Sequence, residues 1–279
     1  MTRTAIDAHV HIWNRTRGET FIAERQFPAL TGKAFLPEDL VPVLAATNAA
    51  SAVLVHGPAT VEHALYCLEL CRTQRVFRSV IGWVDLRDPG CAAQLSRQSG
   101  DPGFRGVRFT PMLDSDPEGY LRSDGAGTVC AGLQSGGHLV EILAPQPLFG
   151  AVADLARAFP GMPVVLAHFG LPDGSTQGFD GWRQAMARLA ALPNIHVKLS
   201  GLPLSANSDA DTAMARAHVK AMVDLFGPQR LIYASNWPVA TALASPAYWR
   251  NLLDETLEHM QMGAPQRDAL FHDNAARLY

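Results

Sequence analysis

The chain has 279 residues, of which 48% are hydrophobic and only 18% charged, and its formal net charge is −3. That composition excludes disordered and fibrous proteins, and it offers no basic field to a nucleic-acid backbone or an anionic membrane surface. Length alone permits two ordinary domains, but one α/β barrel commonly takes about 250 residues, so a single domain over residues 1–279 acting on a small molecule is expected.

After Met1, Thr2-Arg3-Thr4 leads straight into strand residues. No apolar signal core is present, and no later run approaches the roughly 18 residues of a membrane span, so no membrane contact and a cytoplasmic location are expected. Short β-branched runs then alternate with longer amphipathic stretches, the pattern of βα units around a parallel sheet. The first run, 5–12, carries Asp7-Ala8-His9-Val10-His11 and is followed by a long connection over 14–36. Pro37 opens a helix to Ala46, and a second strand, 52–56, ends at His56 before Gly57-Pro58. Thr60 caps a helix over 61–71, in which Cys67 and Cys71 share a face. With Cys91 and Cys130 they show no paired metal spacing and read as core or near-surface thiols.

The third strand is 78–84, the fourth 106–110 with Arg108, and the fifth 138–143 with Glu141. Pro147 opens a helix whose Leu148, Val152, Leu155 and Phe159 share a stripe, and a sixth strand, 163–168, ends at His168. A second long connection, 171–180, contains Pro172, Gly174 and Gly178, and the next helix carries Trp182, Met186 and Leu189. The seventh strand, 194–200, holds Lys198 and precedes a helix with Val219, Val223 and Phe226. The eighth, 231–235, runs into Asn236-Trp237-Pro238. Nearly continuous apolar runs are what strands covered on both faces require. The expected fold is therefore an α/β chain forming a (β/α)8 barrel, with no repeat or linker dividing it.

In such a barrel the polar residues at the carboxyl ends of strands project into the catalytic mouth. His9 and His11, two apart on a strand, share a side and can bind one divalent cation, hydrogen-bond one substrate oxygen, or be a buried pair satisfied by neighbours. His168 alone reads as structural, but with His9 and His11 it reads as functional. The Arg108 fork suits a carboxylate or lactone carbonyl, or an ion pair across the barrel. His56 is placed for a substrate hydroxyl or for a structural role. Lys198 is a charge inside an apolar strand and needs a partner, whether it touches substrate or not. Glu141 is either that partner or a ligand, and alternation does not decide whether it faces inward.

These residues resemble the amidohydrolase-related lactonases, the group that includes L-fuconolactonase, L-rhamnonolactonase and 2-pyrone-4,6-dicarboxylate lactonase. The resemblance covers nearly the whole chain. It rests on Ile6-Asp7-Ala8-His9-Val10-His11-Ile12-Trp13, Gly82-Trp83-Val84-Asp85-Leu86, Gly106-Val107-Arg108, His168, Val197-Lys198-Leu199-Ser200-Gly201-Leu202, Ser235-Asn236-Trp237-Pro238-Val239 and Asn274-Ala275-Ala276-Arg277-Leu278-Tyr279. It implies a metal-dependent-hydrolase-like TIM barrel that opens a cyclic ester of a sugar acid or a related oxo-acid. By this resemblance His9, His11 and His168 polarise the carbonyl, directly or as ligands of one divalent metal, zinc. Arg108, with His56 and Lys198, holds the substrate. The pyrone-dicarboxylate lactonases are thought to work without metal, so one ion or none is implied. Two-metal members add a bridging lysine on strand four and a histidine ending strand five. This chain has Arg108 and no such histidine, His138 lying at the start of strand five.

One position departs from the family pattern. The motif usually reads Ser-Asp-Trp-Pro with a water-activating aspartate, and this chain has Asn236. An amide takes no proton near neutral pH and is a weak cation ligand. Three explanations stand: natural members carry asparagine and another group such as His168 is the base, the residue is an engineered replacement of aspartate, or the protein binds a lactone without turnover. Decarboxylation or C–C hydrolysis of an aromatic acid on the same scaffold is the enzymatic alternative, and a non-catalytic ligand-binding barrel the other. A homo-oligomer is compatible with all of these.

Overall fold

Residues 3–173, 176–205 and 208–279 are described by the structure, a computed structural model. Eight parallel strands follow one another around a single sheet in chain order: β1 Ala5–Val10, β2 Ala49–Val55, β3 Phe77–Gly82, β4 Phe104–Phe109, β5 Leu139–Ile142, β6 Val164–Leu166, β7 Ile195–Leu199 and β8 Leu231–Tyr233. Each is followed by a helix, in order Pro37–Ala46, Val61–Thr73, Cys91–Ser99, Asp124–Ser135, Phe149–Ala158, Thr176–Ala190, Asp209–Phe226 and Pro246–His259. This is the (β/α)8 barrel that the alternation implied. Among the described residues no helix is long and apolar enough to cross a membrane.

Strand alternation separates two cores. Val10, Leu54, Val107, Val140 and Val197 face outward and pack with helix residues such as Leu40, Cys67 and Val152. Ile6, Val55, Ile81, Leu139, Val165 and Ile232 fill the lumen together with Tyr279. At Gly106 the lumen has no room for a side chain, because a Cβ there would stand 2.0 Å from the Leu139 carbonyl oxygen.

The barrel closes where its mouth begins. β8 and β1 are joined by residues just past β8: Ser235 N–H donates to Asp7 Oδ1 (2.9 Å), Asn236 N–H to the His9 carbonyl (3.0 Å), and His11 N–H to the Trp237 carbonyl (2.8 Å). The β1–β2 register shifts between Asp7 and Val10, which breaks simple alternation. Ala8 therefore packs inward, Val10 packs outward, and both His9 and His11 reach groups of the barrel interior.

All eight expected strands overran their observed C-terminal ends by one or two residues. The physical reason is common to them. His56, His168, Ser200 and Ser235 continue the apolar pattern but lie in backbone that has already turned into the catalytic loops, and His168 adopts φ 55°. Helix starts at Pro37 and Val61 match expectation. The helices at Cys91–Ser99, Asp124–Ser135 and Pro246–His259 complete the outer ring beyond those marked in the sequence.

The 14–36 connection is a packed cover. It holds short helical turns at Arg15–Arg17, Ala23–Gln26 and Pro28–Leu30, and Phe21, Ala23 and Leu30 form a small core with Trp13 and Val239. Glu19 ties it down, accepting from Asn14 N–H (2.7 Å) and pairing with the buried His63 at 3.2 Å. Burial opposes the charge on His63, yet Cys67 and Glu19 raise its pKa to about 9, so the tie is ionic. The second expected connection is shorter than 171–180, because a helix begins at Thr176. Gly174 lies outside the described residues.

Candidate active site

A cavity of about 880 Å³ opens between the strand ends and the 14–36 cover. His11, His56, Arg108, His168, Ser235 and Asn236 line its floor. His9, Glu141 and Lys198 do not line it and are fully buried. The expected site residues are thus assembled in two tiers.

The lower tier is an ionic cluster. Glu141 faces inward and pairs with the Lys198 ammonium, which is the orientation that alternation left open. Tyr279 Oη donates to Glu141 Oε1 (2.6 Å), and the Lys198 ammonium lies 5.0 Å from the Tyr279 ring centre. Burial brings the Lys198 pKa down to about 8 against the pull of Glu141. Lys198 Nζ is also 3.4 Å from His9 Nδ1, so the ammonium donates to that nitrogen and the His9 proton sits on Nε2. His9 Nε2 is 3.0 Å from His11 Nε2. His11 Nδ1 donates to the Val55 carbonyl (2.9 Å), which can only accept, so His11 Nε2 is the acceptor in that contact.

The upper tier faces the cavity. Arg108 is held by one histidine: its Nη2 donates to the His56 carbonyl (2.9 Å) and its Nε to His56 Nε2 (3.3 Å). His56 Nδ1 in turn donates to the Pro58 carbonyl (3.3 Å). Both ring nitrogens of His56 are therefore engaged, and the residue expected to meet a substrate hydroxyl positions the guanidinium. Arg108 Nη1 reaches to 3.4 Å from His9 Nε2. Burial lowers the Arg108 pKa to about 10, which keeps it charged at neutral pH.

His168 stacks 4.5 Å from His9, ring centre to ring centre, and its Nδ1 meets Ser200 Oγ at 2.8 Å. Sequence reasoning gave Ser200 no role. Its signal was its place two residues beyond Lys198, on the same strand face. Burial first, then Arg108 and Lys198, takes the His168 pKa down to about 3. Burial likewise keeps His9, His11 and His56 far below the ordinary histidine value, so all four imidazoles are neutral at pH 7.

Asn236 occupies the left-handed region at φ 59°, which asparagine and aspartate tolerate better than other side chains, and its main-chain N–H is held by the His9 carbonyl. Among the described residues its side-chain amide makes no hydrogen bond within the protein. Asp7, also given no role from sequence, stitches the seam. Burial raises its pKa to about 6 despite bonds from Ser235 and His9.

The donor set can be tested against a divalent ion. His9 Nε2 and His11 Nε2 converge, and the buried Glu141 Oε2, without a hydrogen-bond partner among the described residues, lies 3.9 Å from His9 Nδ1, as an outer carboxylate behind a ligand histidine would. The rest does not follow. His168 lies beside the pair, 4.5 Å from His9 between ring centres, but no three histidine, cysteine, aspartate or glutamate side chains gather into a metal-holding group among the described residues. The Arg108 guanidinium also stands beside the nitrogen that would bind, and Asn236 presents an amide. The residues present do not complete a zinc shell.

Comparison with known proteins agrees with the fold. The amidohydrolase family profile matches residues 6–279. The L-fucono-1,5-lactonase of Burkholderia ambifaria is 29% identical over 278 residues, covering 98% of this chain and 94% of the relative. That of Burkholderia multivorans is 28% identical over 284 residues, covering 98% and 95%. A crystal structure of an amidohydrolase from Burkholderia multivorans with bound zinc matches with a TM-score of 0.87 at 27% identity, covering 99% of this chain and 98% of that one.

Proposed function

The chain belongs to the amidohydrolase family, and on that premise we propose that it is a lactonase, adding water to the carbonyl of a cyclic ester and opening the ring to a hydroxy acid. Relatives named for a deoxy-sugar lactone support a lactone of a sugar acid or a related oxo-acid as the substrate class. The observation that carries the reading is the pairing of His168 Nδ1 with Ser200 Oγ at the floor that also presents Arg108. The hydroxyl can accept from Nδ1–H, which leaves an Nε2 lone pair for the cavity, and the imidazolium keeps the same bond. Nε2 can therefore take a proton and return it.

The steps run through this chain's own residues. The carbonyl oxygen accepts from Arg108, whose Nη1 has no good acceptor among the described residues and whose charge stabilises the developing oxyanion. The Asn236 amide holds the water and takes no proton. His168 Nε2 receives the proton as water adds to the carbonyl carbon. The imidazolium, disfavoured by burial and by Arg108, passes that proton to the ring oxygen as its bond to carbon breaks. His9 and His11 lie below as the hydrogen-bonded floor that Lys198 and Val55 fix. No step passes through a metal, because the donor set does not complete a shell for one.

A pH-indicator screen of sugar-acid and simpler lactones, with aromatic carboxylates in parallel, tests the reading. Acid release from at least one lactone, lost in His168→Ala, is expected. Consumption of an aromatic carboxylate with no lactone opened contradicts it.

A further inference from the structure

Above its polar floor the cavity is walled by apolar side chains. Phe21 and Phe27 of the cover face it, as do Leu143, Leu204, Val239 and Trp249. The polar edge of Trp249 is already spent, since its Nε1 donates to the carbonyls of Leu199 and Ala234 (3.1 Å each). The distribution of exposed apolar residues is more informative. Five large hydrophobic side chains are exposed among the described residues, and four of them, Ile22, Met112, Leu113 and Leu243, line this cavity. They come from three separate segments of the mouth. Scattered exposed leucines need no explanation, but an apolar collar continuous with a polar floor marks the path of a ligand.

A ring bearing a hydroxyl on every carbon would bury several donors against these walls. Each donor left unpaired costs on the order of a tenfold loss or more in binding. Arg15, Thr20, Arg25 and Gln26 of the cover also border the cavity but are exposed, at its solvent side. Thr31 Oγ1 already donates to the Glu24 carbonyl (3.2 Å), and Glu24 is taken up by Phe21 N–H, Gly32 N–H and Arg15. Thr110 Oγ1, next to the floor, has no partner among the described residues and can serve one ring substituent. Buried capacity for polar contacts is therefore concentrated at the floor, with apolar walls between it and the exposed polar rim.

We infer that the substrate is a lactone of a hydroxy or oxo acid carrying an alkyl or aryl substituent, with its ester at Arg108 and His168 and its apolar group along Phe21 and Val239 to the collar. The inference rests on the lactonase reading and narrows it away from fully hydroxylated sugar lactones. Within a series of 1,5-lactones bearing a longer n-alkyl chain at the ring carbon next to oxygen, kcat/KM rises about three- to fourfold per methylene until the chain reaches the collar. Leu243→Asp and Met112→Asp, at exposed positions where folding is not at stake, flatten that dependence.

The test compares this series with a hexono-1,5-lactone and measures, by calorimetry, binding of the ring-opened alkyl hydroxy acids and of an aldonate to the same protein. Rising kcat/KM with chain length, flattened in both variants, supports the inference. A hexonolactone hydrolysed tenfold better than every alkyl lactone overturns it and leaves the lactonase reading standing. If no lactone is opened, the lactonase reading fails, and binding then decides the class: tightening with alkyl length upholds an apolar ligand, and tighter binding of the aldonate overturns it.

Discussion

Gly201 lies directly against His168: a Cβ on Gly201 would stand 2.7 Å from His168 Cγ, and Gly201 itself adopts φ 69°. The residue after Ser200 must therefore be glycine for two reasons, space and backbone conformation. Gly201→Ala pushes the imidazole away from Ser200 and from the cavity floor. A displacement of about 1 Å in a catalytic group costs about a hundredfold in rate. Steady-state kinetics should show kcat reduced by about that factor with KM changed little.

Ser200→Ala removes the hydroxyl that accepts from His168 Nδ1–H and keeps the Nε2 lone pair free for the cavity, and His168→Ala removes the acid–base group itself. The expected losses in kcat are about tenfold to a hundredfold for the first and about 10² to 10⁴ for the second. Equal rates in wild type and His168→Ala would rule out the assigned role.

Arg108→Lys keeps the charge and loses the fork that binds the His56 carbonyl and ring together. Loss of an aligned oxyanion donor costs about 10² to 10³ in kcat. His56→Ala is expected to reproduce part of that loss by freeing the guanidinium, although His56 touches the reacting atoms only through Arg108.

The Lys198–Glu141 pair contributes less as a pair than either partner costs when left alone. Lys198→Met strands a fully buried carboxylate and is expected to destabilise the fold by about 3–5 kcal/mol, read from urea denaturation midpoints. The double variant Lys198→Met/Glu141→Leu should recover most of it. Activity should not recover, because His9 Nδ1 has lost its donor.

The pH dependence has an acid part and an alkaline part. His168 has a folded pKa of about 3 against an unfolded 6.5, and His9, His11 and His56 are lowered too. The unfolded chain binds more protons across that window, so stability falls as pH drops below 6.5. Asp7, raised from 3.8 to about 6, binds its proton in the folded state first and works against this trend, but His196, lowered to about 4, adds to it. Melting temperature is therefore expected to fall from pH 6.5 downward, while kcat/KM shows no histidine limb near 6.5. At the alkaline end Lys198 deprotonates near 8 instead of 10.5. Its contribution to stability rises with pH between those values, since the folded chain has already given up the proton. Activity falls over the same range as His9 loses the ammonium that sets its tautomer.

The barrel was legible because its strands are covered on both faces and so read as continuous apolar runs, and because Pro37 and Thr60 mark helix starts. The strand ends were not legible. His168 and Ser235 look like strand residues, and only the positive φ at His168 and the seam bonds of Ser235 show the chain already turning. At the site, the set of polar residues could be read from the strand ends, but not its layering. The register shift between Asp7 and Val10 is a long-range packing outcome, and it sends His9 beneath the cavity to Lys198 while His11 lines it. Likewise the orientation of Glu141 follows from the pairing of β5 with β4 and from Lys198 two strands away on β7. His56 was expected at the substrate, and nothing local could show that Arg108 would claim its ring and its carbonyl.

The central claim is that water adds to the carbonyl carbon of a lactone at Arg108 and His168. Hydrolysis of an accepted lactone in heavy-oxygen water, followed by mass spectrometry of the hydroxy acid, tests it most directly. The account predicts one labelled oxygen, in the carboxylate, with the alcohol oxygen unlabelled. Label in the alcohol would mean cleavage of the alkyl–oxygen bond and would contradict it.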